Sequence, residues 1–570
     1  MKPVRLPASA ANALPRWVLI SLCMLYILPG LLRRDPWKSD DAAGFGIMWT
    51  MAHGGLGDWL WPHVVGLPMA DKGPLAFWIG ALCINLFGSA LTDALAARIA
   101  TIAFFLLGCF SVWYTTYLLG RRPEAQPLKL AFGGQPEARD YGRMLADGAL
   151  LIYLGCLGLL MPSHSTSAEA LQVSLVASSM YAAARLYESQ SLRAAAVLGV
   201  ALGLLVLTRG WVVPLAVWLA LLALVSLRER ALISRLVLVT LPVAAAIAGA
   251  WPFAASFARP FDSSPYDAWM QWNYGQLGLP SWDTLKFFLK NGIVFAWPAW
   301  PFAAWAVYAW RRQSSAPHVT IPLAFFIAVA LLALISPNPE EGVLLPLLPP
   351  LAILAAFGLP TMKRGAINAV DWFSVMTLTA CAAFIWIGWI AKQTGWPAQL
   401  AKNAFKLAPG FKPEFNLIAF LIAACATLAW FVLVHWRISR HPAVLWRAVV
   451  LSSGGVILCW SLLMTLWLPW INYGKSYAGV ALEIAKKLPP YSCVESDAGP
   501  AQRASFAYFG HVPFARFDDA HCNFLLLQDR NRGHENTPLL RRSGAQWTLL
   551  WEGRRPSDRD ERFRLYRRIN

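Results

Sequence analysis

Three features of the sequence predict an α-helical polytopic membrane protein. Hydrophobic residues make up 57% of the 570 and charged ones only 14%, against roughly 25% charged in soluble chains. Apolar runs near the ~20 residues that cross a bilayer recur between 16 and 470. Basic residues gather in alternate connections between those runs, the pattern that marks cytoplasmic loops.

The runs fall at about 16–34, 93–119, 144–162, 167–187, 194–208, 211–227, 235–257, 291–311, 318–336, 343–360, 371–391, 415–435 and 448–470. They predict about 13 transmembrane helices, with the pairs 144–187 and 194–227 joined by short connections. Arg121 and Arg122, Arg185 with Arg193, Arg228 with Arg230 and Arg235, Arg311 and Arg312, Lys363 and Arg364, and Arg437 with Arg440 and Arg447 occupy alternate loops. This pattern places those loops and the N-terminus inside, with Arg33 and Arg34 the one exception. An odd number of spans then puts the 35–92 loop and the tail from 471 together on the outer face. The first span lacks a small-residue cleavage site and reads as an anchor.

Residues 1–470 therefore form a membrane domain, and 471–570 a polar, arginine-rich second domain. Short apolar runs at Phe524–Leu527 and Trp547–Trp551 predict buried strands of a small α/β fold there. Seven of nine cysteines lie in or beside apolar runs, as small hydrophobes do. Only Cys493 and Cys522 lie in the tail, where an oxidising compartment permits a disulfide. The net charge of +18 is dispersed over loops on both faces, which disfavours a nucleic-acid partner and suits anionic lipids and phosphates. No Cys/His spacing matches a zinc site.

The stretch Asp35–Trp78 follows the first span but is no span itself. It carries Asp35, Lys38, Asp40, Asp41, Asp58, Asp71 and Lys72 among Trp37, Trp49, Trp59, Trp61 and Trp78, a composition suited to the membrane–water boundary. Ser39 is a candidate N-cap that would set Asp40 and Asp41 in the first turn of a helix, facing its positive end. Pro62, Gly66, Pro68, Gly73 and Pro74 turn the chain back toward the membrane. Read without any relative, these charges fit a solvated interfacial loop as well as a site.

The pattern Asp40-Asp41, Gly57-Asp58-Trp59, Pro62-His63, Gly66, Asp71-Lys72-Gly73-Pro74 and Phe77-Trp78 resembles the lipid A aminoarabinose (4-amino-4-deoxy-L-arabinose) transferases and the related protein O-mannosyltransferases. Those are membrane glycosyltransferases of GT-C architecture. The resemblance implies transfer, with inversion, of a sugar from a polyprenyl-phosphate donor such as undecaprenyl phosphate. The acceptor would be lipid A, a glycan or a protein at the periplasmic face of the inner membrane.

Such chemistry needs a group that steers or deprotonates the attacking oxygen and cations that hold the leaving phosphate. The resemblance implies Asp40 and Asp41 as the catalytic acids, with helix capping the alternative for Asp41. Lys72 and Arg209, the latter in Leu207-Thr208-Arg209-Gly210, would bind the donor phosphate. Asp71 would orient the lysine, Glu169 would orient acceptor or cation or else cap its helix, and Tyr274 would face substrate from the aromatic cluster of loop 258–290. A metal is not required by this set, although related GT-C enzymes recruit a divalent ion with such acids.

The chain departs from the family pattern at Ala43-Gly44, at Asn273-Tyr274 and at Pro337-Asn338-Pro339-Glu340-Glu341-Gly342, where the family carries Arg-Tyr, Glu-His and a basic stretch. The sugar and acceptor therefore stay open. A lipid-linked sugar transporter or flippase is the competing class, and a non-catalytic scaffold a third. Convergence of Asp40, Lys72 and Arg209 on one outward cavity separates the first reading from these.

Overall fold

The computed structural model describes residues 4–129, 134–257, 265–337, 339–440, 446–490, 492–515, 522–529, 546–558 and 560–569. The stretch 258–264 of the aromatic loop and Asn338 lie outside the described residues.

Among those residues seven helices are long and apolar enough to cross a membrane, or up to nine if two bent pairs each count as one span. The sequence expectation of 13 is corrected accordingly. The runs at 144–162 and 291–311 belong to bent pairs, Ala138–Gly155 with Leu157–His164 at 66° and Trp282–Phe295 with Ala299–Ala309 at 97°. Arg16–Ile27, Leu192–Thr208 and Val212–Arg228 are apolar but only 10–17 residues long. Ala168–Ser189 has the length, but Glu169, Gln172 and its serines lower its hydropathy. It can carry them because protein surrounds it on nearly every side.

The centre of the bundle is Asp93–Gly120 packed against Ala138–Gly155 and Ala168–Ser189. Small residues let these backbones approach: Ser174 Oγ donates to the Phe104 carbonyl at 2.6 Å, and a Cβ on Gly108 would lie 2.8 Å from that same hydroxyl. Glu341–Thr361 is nearly enclosed, whereas Gly365–Thr394 and Leu417–Ile438 leave most of their apolar surface uncovered, as lipid-facing helices do.

Between the first apolar helix and the bundle, the helix Asp40–His53 leads into a tight hairpin, β1 (His63–Val64) with β2 (Leu67–Pro68). Its two turn residues, Val65 and Gly66, have φ of 46° and 89°, a pairing with positive φ at both positions that favours glycine. Asp58 fixes the loop: one oxygen accepts from Gly55 N at 2.8 Å and the other faces His63 Nε2 at 3.0 Å, while His63 Nδ1 accepts from Gly66 N. His63 thus carries its proton on Nε2. Asp58, His63 and Gly66 of the sequence motif shape the loop.

The C-terminal unit is a mixed four-stranded sheet, order β3 (Val494–Ser496), β4 (Phe524–Asp529), β6 (Arg562–Ile569), β5 (Gln546–Gly553). β3 and β4 are parallel and the other pairs antiparallel, with helix Pro500–Gly510 in the crossover. All six residues of β4 are buried, as its apolar run predicts. β5 differs: it lies at the sheet edge, and Leu549 and Leu550 are exposed among the described residues. Cys493 and Cys522 form a disulfide with Cα atoms 4.9 Å apart, tying the start of β3 to the approach to β4.

This unit packs directly on the acid-bearing helix. A Cβ on Gly46 would lie 2.4 Å from Ala504 Cβ, and Phe45 meets Tyr508 edge-on at 4.8 Å. Asn472, in the helix Leu468–Lys475 that leads into the unit, accepts from Trp37 Nε1 and Asp35 N and donates to the Arg33 carbonyl.

Candidate active site

Asp40 and Asp41 open the same helix but face different surroundings. Ser39 holds the N-cap position with φ of 74°, yet its side chain makes no capping bond. Asp40 is exposed. Partial desolvation there raises its carboxyl above the ordinary range, Glu169 and Asp71 add to the rise, and Lys72 and Arg209 oppose it. Asp41 points inward and is 5% exposed. One oxygen meets Arg34 at 2.6 Å and Trp37 N at 3.0 Å, and the other accepts from Thr166 N at 2.9 Å and Thr166 Oγ1 at 3.0 Å. Burial would raise the Asp41 carboxyl, but Arg34, Arg98 and these backbone bonds outweigh it and hold it below the usual range.

Arg34 is thereby explained. The exception to the positive-inside pattern is a buried ion-pair partner, and Arg98 braces the same corner by donating to the Leu31 and Arg34 carbonyls. Asp41 does not cap the helix through its own N-terminus; it bolts the helix to the Thr166 segment. Gly44 permits this approach, since a Cβ there would lie 1.9 Å from the Thr166 carbonyl oxygen. The departure at Ala43-Gly44 therefore sits where a larger side chain has no room.

Lys72 arrives from the turn after the hairpin. Gly73 donates to the Thr208 carbonyl at 3.1 Å, and a Cβ on it would lie 2.2 Å from the Leu207 carbonyl oxygen. Only a glycine lets this turn lie against the end of Leu192–Thr208, and that contact brings Lys72 beside Arg209. Lys72 Nζ sits 3.0 Å from both Asp71 and Glu169, and Arg209 reaches the same Glu169 oxygen at 3.4 Å. Burial alone would lower the lysine pKa, but Glu169, then Asp71, outweigh it and raise it above the ordinary value. Lys72 stays charged.

Arg209 is held by its own surroundings. Asn273 accepts from Trp211 N at 3.0 Å and donates to the Trp269 carbonyl, while Trp269 Nε1 donates to the Arg209 carbonyl at 3.2 Å. The guanidinium lies 5.4 Å from the Trp272 ring centroid, and its Nε is buried without a partner. Tyr274 is placed differently from the rest: it is exposed and meets Trp211 edge-on, and Trp272 is the ring over the cation. Gly342, the last residue of the acidic stretch, comes up against Arg209 and Glu169. Glu340 and Glu341 remain exposed.

The structure thus brings Asp40, Asp71, Lys72, Glu169 and Arg209 together and turns Asp41 and Tyr274 away from them. Sequence reasoning missed the role of Arg34, whose signal was its violation of the charge rule. Among the described residues no group of three or more His, Cys, Asp or Glu side chains is arranged to hold a metal ion. Asp71 and Glu169 both close on the Lys72 ammonium, so this donor set does not suit a divalent ion.

No family model matches the sequence, and no curated protein matches it by sequence. Among solved structures, the crystal structure of ArnT from Cupriavidus metallidurans bound to undecaprenyl phosphate superposes with a TM-score of 0.66 at 15% identity, covering 97% of each chain. The same protein in the apo state gives 0.63 at 16% identity, again covering 97% of each chain. The likeness shows the fold: a polytopic helical membrane protein of GT-C type with a C-terminal β-sheet domain.

Proposed function

We propose that the chain is an inverting glycosyltransferase that moves a sugar from a polyprenyl-phosphate donor to an envelope acceptor at the periplasmic face. The observation that carries this reading is an exposed carboxylate, Asp40, close enough to feel the charges of two buried cations that share Glu169. The undecaprenyl phosphate of the similar ArnT structure supports the donor class.

The charges fit the reaction. An acceptor hydroxyl attacks the anomeric carbon from the face opposite the phosphate and gives its proton to Asp40. The anomeric C–O bond breaks and its electron pair stays on the phosphate, which changes from a singly charged diester to a more highly charged monoester. Lys72 and Arg209 are fixed beforehand where that charge grows, so they favour the transition state over the bound donor. Glu169 keeps the two cations together when no phosphate is present, and Asp71 sets the lysine. The raised Asp40 pKa makes it a stronger base than a free carboxylate.

Mass spectrometry of envelope glycolipids and glycoproteins, from cells with and without the protein, tests the proposal. A sugar-bearing acceptor should vanish in its absence and return with wild type but not with Asp40→Asn. Unchanged acceptors, together with a donor trapped on the cytoplasmic leaflet, would identify a transporter instead. Reporter fusions at Arg122 and after Ile569 should give opposite signals, placing the C-terminal unit outside.

A further inference from the structure

Beside the charged cluster lies a cavity lined by Arg209 and by two side-chain amides that the proposed reaction does not use. Gln172 stands one helical turn after Glu169 on the same face and is 5% exposed. Its amide reaches the cavity, and it has no hydrogen-bond partner among the described residues. Gln276 lines the opposite side, half-buried, and its amide is equally uncommitted. Between them lie the Trp272 ring and Arg209, whose buried Nε also lacks a partner.

An amide that meets no protein group and stays accessible at a cavity wall is free to bond a ligand there. An amide both donates and accepts, as does a hydroxyl, and an aromatic face suits the C–H face of a sugar ring. The charge of the lining discriminates further. No carboxylate lines the cavity among the described residues. The nearest acid, Glu169, shares its Oε1 with Lys72 and Arg209 and lies outside the lining, and Glu340 and Glu341 are exposed. An ammonium in the cavity would meet the Arg209 cation and no carboxylate in the lining.

We infer that Gln172 and Gln276 are specificity-determining residues that select an uncharged, hydroxyl-bearing glycosyl group, and disfavour an amino sugar, in the cavity beside Arg209. The inference rests on the proposed transferase reading, whose donor it narrows.

Full-length protein in lipid nanodiscs, titrated with three synthetic lipids, provides the test. The probes are a polyprenyl phosphate capped as its methyl diester, which has the donor's charge but no sugar, the same phosphate bearing a neutral pentose, and the same phosphate bearing the 4-amino analogue of that pentose. The neutral-sugar lipid should bind about 10-fold more tightly than the methyl diester, the size of one or two well-made hydrogen bonds. The amino analogue should show no such gain. Gln172→Leu should erase the gain without altering affinity for the methyl diester, which also serves as the check on folding. Gln276→Leu should reduce the gain in the same way. Gln172→Glu, which supplies the missing carboxylate, should turn the preference toward the amino analogue. Equal weakening of all three lipids by Gln172→Leu would show that the cavity holds lipid chain, and would overturn the inference. So would tighter binding of the amino analogue by wild type, or no gain from either sugar. Failure of the wild-type protein to transfer sugar, with these binding differences intact, would instead count against the transferase reading alone.

Discussion

Asp41→Asn should unfold the acid helix rather than slow its chemistry. The wild-type carboxylate makes four contacts: Oδ2 with Arg34 and Trp37 N, and Oδ1 with Thr166 N and Oγ1. All the groups that meet it there donate, so the amide NH2 of asparagine faces donors whichever way it is turned. The substitution also leaves Arg34 buried without its anion. Removing one partner of a buried pair costs about 3–5 kcal/mol, and this pair, with both side chains at or below 5% exposure, belongs to that class. Asp40→Asn is the control, since that side chain is exposed and bonds to no backbone. It should leave stability within about 0.5 kcal/mol and lower the rate about 10²–10⁴-fold. Thermal unfolding of both variants in one detergent, beside turnover measured well below the melting range, separates the roles. Asp41→Asn with wild-type stability and a rate loss matching that of Asp40→Asn would refute the division. The pH dependence has a definite sign. Asp41 is depressed in the folded state, so its contribution is fully present above the ordinary aspartate value of ~3.9 and is lost as pH falls through its lower folded value.

Asp40 titrates in the opposite sense: its pKa is raised, so the acid limb of the kcat/KM profile should lie above the ordinary carboxylate value, and Asp40→Asn should abolish that limb. Lys72→Ala should lower turnover and weaken donor binding together, because the cation meets phosphate before and after the bond breaks; a change in donor binding alone would show that it does not follow the developing charge. Gly73→Ala should mimic much of that loss with Lys72 intact, since its methyl would strike the Leu207 carbonyl and push the turn from Arg209; full activity would mean that the two cations need not be neighbours. Replacing Cys493 and Cys522 by serine should cost the C-terminal unit about 3–4 kcal/mol for the 29-residue separation, read as earlier proteolysis of that unit.

Much of the site was legible because its residues fall in short contiguous patterns. The acid pair, the Asp71-Lys72-Gly73-Pro74 turn and Leu207-Thr208-Arg209-Gly210 each keep their meaning within a few residues. What stayed hidden depends on contacts across the chain. Nothing near Asp41 says that its oxygens meet Thr166, and nothing near Tyr274 says that Trp272 takes the place over Arg209. The span count failed for a related reason. A hydropathy window measures composition along a line, so it joined residues on both sides of the 97° bend near Pro298 into one run at 291–311. It also counted Ala168–Ser189 as a span, although that helix carries the polar residues of the site.

Charge in this chain answers to three demands that composition cannot separate. Loop arginines such as Arg121 and Arg185 pair with the exposed Glu188, where a pair contributes little and topology explains the residue. Arg34 and Asp41 form a buried ion pair that holds a helix in place. Lys72, Arg209 and Glu169 belong to neither group. They are buried, which demands pairing, yet Glu169 Oε2 and Arg209 Nε are left without partners. Buried charges tolerate such vacancies when the fold is completed by something it binds. Two cations that converge on one oxygen of Glu169, more than the presence of charge itself, distinguish this cluster as the candidate site; the Arg34–Asp41 pair beside it is the frame that holds Asp40 within reach.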